Sequence, residues 1–310
     1  MIVTIGNPVY DYIKTPKVET EGRILSGCST NAALALAKLG SEVRFVGAIG
    51  DDFRADFQAR MRALNIDTVV IDSKESGGFS LIYYDDHGNR TLDLIGRAAP
   101  IGNISGDVYD DAEAILIGPI LGEVSFELIR DIAKNYQRLF FCDPQGLLRH
   151  TDEKGRIFHE KVDGIEQILG RFNIVKPNEL EAKVLTGIDC RKDPYRAAKI
   201  IKGWGMDIVI VTLAELGSLI YDGQTFIEIP PYEIDLLDST GAGDTYMAGF
   251  TYEYLKSGDL RRSGCFASCV SSIMIENVGP DFVLMEDEVR QRQRRLLEKR
   301  DFRLQLAGAG

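Results

Sequence analysis

The sequence predicts an α/β fold built around a mostly parallel sheet. Short apolar runs alternate with amphipathic stretches along most of the 310 residues, which is typical of βαβ units. The length allows one large domain with an elaboration, and 45% hydrophobic residues can form a substantial core. We therefore expect consecutive strands to be joined by helices that pack on the sheet.

Individual elements follow from the periodicity of the apolar residues. The predicted strands are 3–6, 43–48, 114–117, 139–143, 174–177 and 208–212. The predicted helices are 31–39, 52–64, 124–135, 179–185 and 194–204. After residue 240 the chain becomes helical and ends in a charge-rich helix over 286–299, interpreted as a solvated face. The terminal segment 307–310 is expected to be frayed.

Two regions interrupt the alternation of strands and helices. The turn residues 86–89 separate two apolar runs within 78–96, which is a strong hairpin pattern. Together with 10–25, this segment is expected to form an antiparallel flap that serves as a lid. A second hairpin is predicted over 218–229, around Asp222-Gly223.

Charge and hydropathy exclude several classes of partner. The formal net charge of −11 argues against nucleic acid, whose phosphates select for clustered Lys and Arg. No apolar run reaches the roughly 18 residues of a membrane span. The chain starts with an apolar run typical of a buried strand rather than a signal peptide, so we expect a cytoplasmic protein. A site for a phosphorylated ligand must then create positive potential locally.

The five cysteines are scattered and form no Cys-x-x-Cys pair. Cys265 and Cys269 have the i, i+4 spacing of one helix face and would allow a metal site. Reduced thiols that pack as small hydrophobic groups are the favoured interpretation in a cytoplasmic protein.

The most informative segment is 238–244, which reads Asp-Ser-Thr-Gly-Ala-Gly-Asp and precedes an amphipathic helix pattern. The small residues Gly241, Ala242 and Gly243 allow backbone N–H groups at the start of that helix to converge on an anion. Asp244, in the same turn, is suited to accept the proton of an attacking hydroxyl. The alternative is a simple helix cap, but the length, position and acidic end of the string favour catalysis.

This string and a second segment resemble the two signatures of the PfkB/ribokinase family of carbohydrate and nucleoside kinases. The family's Gly-Gly-x-x-x-Asn signature corresponds to 26–31, where Ser26 replaces the first glycine while Gly27 and Asn31 keep their places. The resemblance covers essentially the whole chain. It implies one ribokinase-like domain over 1–310, a three-layer sandwich with a mostly parallel central sheet and a small β lid.

The resemblance also implies roles for residues outside the signature turn. Asp11 aligns with the aspartate that binds substrate hydroxyls, and Gly27 and Asn31 are expected on the substrate side. Asn178 and Glu181 match the Asn-x-x-Glu element that helps hold Mg²⁺ and the phosphates through water. Without the other motifs, Asp11 would be interpreted as an exposed turn residue and Glu181 as a solvated helix residue.

For the nucleotide, the resemblance implies contacts at Thr212, Gly217 and Asn277 in addition to Gly241 and Gly243. Residues 212–217 resemble the family's Thr-x-Gly-x-x-Gly turn, although Ala214 replaces a glycine. Family membership favours ATP as the donor but does not exclude ADP, and a monovalent cation is a possible further cofactor. Some relatives form dimers through their lids, and the apolar segment 80–84 would allow the same homodimer here.

The acceptor is predicted from the polar residues near strand ends and the lid. A sugar or cyclitol needs several convergent polar side chains, and the candidates are Asp11, Asn31, Arg97, Gln145 and Arg149. Segments 95–100 and 143–149 resemble those of archaeal myo-inositol kinases, a branch of the family. The predicted acceptor is therefore a neutral polyol or sugar, and myo-inositol is the first candidate.

Other acceptors and other classes of protein stay open. A nucleoside needs an apolar slot, which Tyr10, Phe79 or Tyr83 would provide, and two arginines suit a phosphorylated acceptor. The absence of Gly-x-x-x-x-Gly-Lys-Ser/Thr excludes a P-loop kinase, and the absence of Gly-x-Gly-x-x-Gly after the first strand weakens an oxidoreductase. A non-catalytic relative would not need Asp244. The leading hypothesis is a Mg²⁺-dependent kinase with Asp244 as its base.

Overall fold

The computed structural model describes residues 1–84, 90–298 and 304–306. The strands are β1 (Ile2–Ile5), β2 (Val9–Lys14), β3 (Ile24–Ser26), β4 (Val43–Gly50), β5 (Asp67–Ser73), β6 (Gly77–Tyr83), β7 (Arg90–Gly96), β8 (Ala114–Ile117), β9 (Leu139–Cys142), β10 (Arg149–Thr151), β11 (Ile157–His159), β12 (Ile174–Val175), β13 (Ile208–Thr212), β14 (Ser218–Tyr221), β15 (Thr225–Ile229) and β16 (Leu304–Leu306). The helices are α1 (Cys28–Lys38), α2 (Asp51–Ala63), α3 (Phe126–Asn135), α4 (Gln145–Leu148), α5 (Ile165–Leu169), α6 (Glu179–Thr186), α7 (Pro194–Lys202), α8 (Ala242–Ser257), α9 (Leu260–Ile275) and α10 (Glu286–Glu298).

The main sheet contains ten strands among the described residues, in the order β16-β15-β14-β13-β12-β9-β8-β1-β4-β5. From β13 to β5 every neighbouring pair is parallel. Strands β14, β15 and β16 continue the sheet in antiparallel fashion. The mostly parallel sheet expected from the sequence is therefore confirmed, as is the hairpin over 218–229.

Apolar side chains are buried on both faces of the main sheet. Successive strand residues point to opposite faces, so Leu116 belongs to one buried cluster and its neighbour Ile115 to the other. The first cluster contains residues of α1, α2, α8, α9 and α10, and the second contains residues of α3, α5, α6 and α7. Helices thus cover both faces, which gives the three layers expected.

A second, smaller sheet contains β3-β2-β6-β7 in that order and includes much of the two segments expected to form a lid. β2 pairs with β3 and β6 with β7 in antiparallel fashion, but β2 and β6 are parallel. The prediction of a wholly antiparallel flap was therefore wrong at its centre. β2 follows β1 and β6 follows β5, and β1 and β5 run in the same direction. Both segments therefore leave the main sheet at the same edge and run parallel in the small sheet.

Several elements differ in extent from the prediction. β12 covers only Ile174–Val175, because Pro177 has no N–H to donate to a neighbouring strand. Strand β5 was not predicted, although Val69-Val70-Ile71 form a short apolar run; its side chains are mostly half-buried at the edge of the sheet. The hairpin β10–β11 was also missed. The predicted turn 86–89, residue 299 of the last helix and the frayed segment 307–310 lie outside the described residues.

The cysteines are all buried and free. Burial raises the pKa of Cys265 to about 12 and raises that of Cys269 as well. Both thiols lie in the apolar core, in agreement with their interpretation as small hydrophobic groups. Among the described residues, no helix is both long and apolar enough to cross a membrane.

Candidate active site

Polar residues follow or end several parallel strands at the carboxyl edge of the main sheet. Asn7 follows β1, Asp143 follows β9 and Lys176 follows β12, while Thr212 is the last residue of β13. In open parallel sheets, ligands bind outside the carboxyl ends of the strands, close to the point where the strand order reverses. That point lies between β1 and β8, since the chain proceeds from β1 to β4 on one side and from β8 to β9 on the other.

The signature turn leads directly into α8 at this edge. Gly241 has φ 83°, and a Cβ added to it would lie 2.8 Å from Asn31 Nδ2, so both the backbone conformation and the space require glycine. No side chain caps the start of α8. Its first-turn N–H groups lack partners within the helix. The predicted anion-binding turn over Gly241, Ala242 and Gly243 therefore has the backbone arrangement that such a site needs.

Lys176 adds a full positive charge to this turn. Its Nζ lies 3.1 Å from the place of a Cβ on Gly243, and the residue is only 1% exposed. The ammonium forms an ion pair of 2.7 Å with Asp143 Oδ2. Burial acts to lower the pKa of Lys176, but the carboxylates of Asp143 and Glu181 outweigh it and hold the pKa above its usual value. The positive charge of Lys176 and the positive end of the α8 dipole therefore both lie at Gly243.

Asp244 lies in the first turn of α8, close to this charge, and is buried with 9% of its surface exposed. Its Oδ2 accepts a hydrogen bond of 2.9 Å from Asn31 Nδ2, and its Oδ1 accepts one of 3.3 Å from Gln145 Nε2. Burial and then the negative charge of Asp143 raise the pKa of Asp244. Three predicted site residues, Asn31, Gln145 and Asp244, are therefore in direct contact, and the carboxylate is oriented on both oxygens.

Asn178 and Glu181 form a capping box at the start of α6. Glu181 N donates to Asn178 Oδ1 at 2.9 Å, and Asn178 N donates to Glu181 Oε2 at 2.8 Å. Glu181 is 1% exposed, so the alternative of a solvated helix residue is wrong. Burial, followed by the charge of Asp143, raises the pKa of Glu181 to about 7. Glu181, which is predicted to help hold Mg²⁺, therefore interacts electrostatically with the Lys176–Asp143 ion pair.

The predicted nucleotide turn lies beside this capping box. Thr212 N donates to Pro177 O at 3.1 Å, and Thr212 pairs with Asn178 in an isolated parallel bridge. Ala214, which occupies a glycine position of the family pattern, has φ 49°, and Gly217 has φ 89°. The turn therefore keeps a left-handed conformation at Ala214, which is strained for alanine.

The donor set of this edge fits a hard cation. The buried side chains of Asp143, Glu181 and Asp244 supply oxygen ligands of the type that Mg²⁺ prefers. Cys28 Sγ lies within 4.8 Å of oxygens of Asp143 and Asp244. Burial and then Asp244 raise the pKa of Cys28 well above its usual value, so it is present as a neutral thiol.

On the other side of the edge, the small sheet presents an apolar face. Alternation along β2 places Val9, Asp11 and Ile13 on one face, and Asp11 is 3% exposed, so it is not the exposed turn residue of the alternative interpretation. Phe79 of β6 is paired with Asp11. A small cavity of about 20 Å³ lies between the small sheet and the loops that follow β1 and β8, and its lining is Asn7, Val9, Gly77, Phe79, Leu94, Gly96, Arg97, Ala98, Ile120, Leu121 and Glu123.

The two arginines predicted for the acceptor differ in position. The side chain of Arg97 is exposed and donates to Thr151 Oγ1 at 2.9 Å. Arg149 is buried, and its Nη1 lies 3.4 Å from Ile120 O. Arg97 and Arg149 are therefore each bonded to neighbours on the side of the small sheet, whereas Gln145 contacts Asp244.

Other predicted positions have mainly structural contacts. Tyr10 lies on the opposite face of β2 and packs edge-on against Phe53, so it is wrongly placed for the suggested base slot. Gly27 is the residue that precedes α1. Asn277 Nδ2 donates to Ile273 O at 2.8 Å within its own helix region, and its nucleotide contact stays a prediction.

Sequence reasoning missed Lys176 and gave no specific role to Asp143. Both are the first residue after a buried parallel strand, and Lys176 immediately precedes the Asn178–Glu181 element. Since the carboxyl ends of parallel strands meet at one edge, a charged residue at that position was the available signal.

The model of the pfkB family of carbohydrate kinases matches residues 1–287. The chain belongs to this family. It is therefore a phosphotransferase that uses a hydroxyl group as acceptor, rather than an oxidoreductase.

Individual relatives agree with this assignment. The chain is 32% identical over 267 residues to a cytidine kinase of Thermococcus kodakarensis, covering 84% of this chain and 90% of that protein. Its fold is similar to that of a pyrophosphate-dependent kinase of the ribokinase family complexed with myo-inositol, with a TM-score of 0.81 at 23% identity over 94% of this chain and 100% of the other. Ribokinase of Arabidopsis thaliana, complexed with ribose and ATP, gives a TM-score of 0.73 at 20% identity over 94% and 98%.

Proposed function

We propose that this kinase transfers the γ-phosphoryl group of ATP to a ribose hydroxyl of a nucleoside in a Mg²⁺-dependent reaction. The observation that carries the choice of acceptor is the single buried carboxylate, Asp11, on an otherwise apolar face of the small sheet. A ribose needs a polar group for its hydroxyls, and the attached base needs an apolar slot.

Asp244 acts as the general base. Its carboxylate accepts the proton of the attacking hydroxyl as that oxygen bonds to phosphorus. The hydrogen bonds from Asn31 and Gln145 fix the orientation of the carboxylate. Burial and the charge of Asp143 raise the pKa of Asp244. Its carboxylate is therefore a stronger base than that of an ordinary aspartate.

The signature turn and Lys176 hold the phosphoryl group. The N-terminus of α8 supplies backbone N–H groups, and the ammonium lies next to Gly243. Such fixed donors in a buried place stabilise the charge that develops on the transferring group, because they need no reorganisation during the reaction.

Asn178 and Glu181 are proposed to hold Mg²⁺ through water, with Asp143 close by. Bound Mg²⁺ neutralises phosphate charge. The three buried carboxyl groups of Asp143, Glu181 and Asp244 support this assignment. Thr212 and Gly217 are proposed to contact the nucleotide, since their turn lies beside the capping box of Asn178. ADP as an alternative donor and a monovalent cation stay untested.

A nucleoside suits the acceptor side better than the neutral cyclitol first expected. The apolar cluster of the small sheet contains Val9, Phe79 and Tyr83, and Tyr83 reaches the signature turn. The similarity to a cytidine kinase supports the same class of acceptor. The structural likeness to a kinase complexed with myo-inositol lies at 23% identity and concerns the fold alone.

A sugar or cyclitol such as myo-inositol is the second candidate. Gln145 favours it, because its amide lies beside Asp244, where it would also reach a hydroxyl of a polyol. Against it, Arg97 is exposed and bonded to Thr151. The polar group expected from the sequence is therefore only partly assembled around Asp244.

An acceptor screen tests the proposal. The purified protein is given Mg²⁺ and either ATP or ADP, with cytidine, uridine, adenosine, ribose, a sugar phosphate and myo-inositol as acceptors. We expect the best nucleoside to have a kcat/KM with ATP at least about tenfold above that of myo-inositol, which corresponds to about 1.4 kcal/mol. The opposite order would replace the nucleoside by the polyol, and no transfer to any acceptor would contradict the proposed reaction itself.

Location and assembly are part of the proposal. Five buried free cysteines support a reducing compartment such as the cytoplasm. Tyr12 and Ile82 are exposed on the outer face of the small sheet, which supports a homodimer through this sheet. The mass of the protein in solution checks the dimer.

A further inference from the structure

A hydroxyl–hydroxyl bond joins the small sheet to the signature turn. Tyr83 is the last residue of β6, and its hydroxyl lies 2.9 Å from Thr240 Oγ1. Thr240 immediately precedes Gly241, and its own N–H donates to Asp238 Oδ1 at 2.9 Å. The bond thus connects two segments that are 157 positions apart in the sequence.

Two further contacts join the same parts of the molecule. Lys17, in the loop between β2 and β3, donates from Nζ to Leu236 O at 2.6 Å. A Cβ placed on Gly279 would lie 2.8 Å from Ile24 Cγ2 of β3. The small sheet, which is rooted at the β1 side of the main sheet, therefore reaches across the site to the segments before α8 and after α9.

The Tyr83 bond differs from the other contacts in its burial and position. Tyr83 is 5% exposed and lies in the apolar cluster of the small sheet, whereas Lys17 is exposed. Its partner is the residue directly before the turn that is proposed to bind the transferring phosphoryl group. Opening of the small sheet would break this bond and admit water to that turn.

We propose that the bond between Tyr83 and Thr240 is a latch that biases the small sheet toward its closed position and restricts the access of water to the donor phosphate. The inference rests on the proposed phosphoryl transfer. Tyr83 is a positioning residue in this scheme, because it acts through Thr240 and the closed sheet. Closed sites of this kind protect an activated phosphate from hydrolysis.

The test compares Tyr83→Phe with the wild-type protein in two measurements. A hydrogen bond of this type shifts an equilibrium by roughly two- to tenfold. We expect amide hydrogen exchange in β2 and β6 of the ligand-free protein to accelerate by that factor. With Mg²⁺ and ATP, the ratio of acceptor-independent ATP hydrolysis to transfer is expected to rise by a similar factor, since water reaches the donor more often.

Tyr84→Phe is the matched control. Tyr84 is the next residue and is 61% exposed, and its hydroxyl donates to Thr91 Oγ1 within the small sheet. The same loss of a hydroxyl at this position should leave both exchange and the hydrolysis ratio unchanged. Thr240→Val removes the partner hydroxyl and should reproduce the faster amide exchange of Tyr83→Phe. The double variant Tyr83→Phe with Thr240→Val should be no worse than either single change.

The two measurements separate failure of the latch from failure of the proposed function. In an active enzyme, an unchanged hydrolysis ratio or unchanged exchange in Tyr83→Phe would overturn the latch. An equal effect of Tyr84→Phe would also overturn it. If the wild-type protein phosphorylates no acceptor, the proposed function fails, and the exchange experiment alone then decides whether Tyr83 holds the small sheet closed.

Discussion

On the transfer side of the candidate site the charges are buried and paired, whereas on the acceptor side the surface is largely apolar and one of its two arginines, Arg97, is exposed. Lys176 and Glu181 are each 1% exposed; Lys176 directly follows β12 of the main sheet, and Glu181 lies in the next helix, α6. Arg97 of the acceptor side is exposed and bonded to Thr151 of β10. The first group is fixed by a large core and the second by a sheet of only four strands.

This difference separates the groups that stabilise phosphoryl transfer from the groups that select the acceptor. Stabilising the charge of a phosphoryl group requires donors that are fixed and shielded from water, where electrostatic interactions are strong. Choosing an acceptor requires a surface whose shape and polarity can change without disturbing those donors. We therefore propose that the main sheet carries the groups for phosphoryl transfer and the small sheet carries the groups that select the acceptor.

The largest expected effect comes from breaking the buried ion pair on the transfer side. Lys176→Met leaves the carboxylate of Asp143 buried without its partner, which costs about 3 kcal/mol or more of the free energy of unfolding. Denaturant unfolding measures this loss. The double variant Lys176→Met with Asp143→Asn removes both charges and should recover most of the stability. A loss below about 1 kcal/mol for Lys176→Met would show that the pair is not shielded as described.

The base itself gives the next largest effect. Asp244→Asn should lower kcat by roughly a hundredfold or more, the scale of a lost general base, while nucleotide binding by calorimetry stays close to normal. Asp259→Asn is the matched control, because Asp259 is exposed and caps the next helix through a side-chain oxygen that asparagine keeps. Near-normal turnover of Asp244→Asn would exclude it as the base.

The metal-side carboxylate should have a smaller effect. Glu181→Gln should raise the Mg²⁺ concentration for half-maximal rate by about ten- to a hundredfold, the usual cost of losing a group that orients metal-bound water. Glu179→Gln, in the same helical turn, loses a charge that pairs with Arg191 at the surface and should leave the Mg²⁺ titration unchanged. An unshifted titration in Glu181→Gln would leave it a purely structural capping residue.

The same variant has a pH-dependent consequence. Folding raises the pKa of Glu181 from 4.5 to about 7, chiefly through burial. The folded state therefore binds the proton more tightly than the unfolded state, and this contribution to stability is present below about pH 4.5 and is lost as the pH rises through about 7. Unfolding of the ligand-free protein between these pH values should show a decline that is smaller in Glu181→Gln. An identical slope in both proteins would show that the pKa of Glu181 is not raised.

The smallest effect is expected on the acceptor side. Because Arg97 is exposed and bonded to Thr151, Arg97→Ala should change the acceptor KM by no more than about threefold, as expected for an exposed polar contact. Phe79→Leu, which reshapes the apolar cavity, should raise the KM of a nucleoside more than that of ribose. If Arg97→Ala raised the KM tenfold while Phe79→Leu did not, a polar acceptor would be favoured.

The sequence by itself determined the features that depend on neighbouring residues. The α/β alternation follows from local apolar periodicity, and the turn over 238–244 contains in one string the glycine required at Gly241 and the proposed base Asp244. The family, and with it the reaction class, followed from two such local signatures. The pattern also showed that Ala214 departs from the family glycine, but not that the turn keeps its left-handed backbone there.

Only the tertiary structure decided what depends on segments far apart in the chain. Lys176, Asp143 and Gly243 meet because two parallel strands and the start of α8 end at one edge of the sheet. The parallel pairing of β2 with β6 depends on where the segments after β1 and β5 leave the main sheet. This pairing places Asp11 on the face of the small sheet that lines the cavity and Tyr10 on the opposite face. A shift of one residue in a strand exchanges its faces, and the register is set by packing against the rest of the molecule rather than by the strand's own residues.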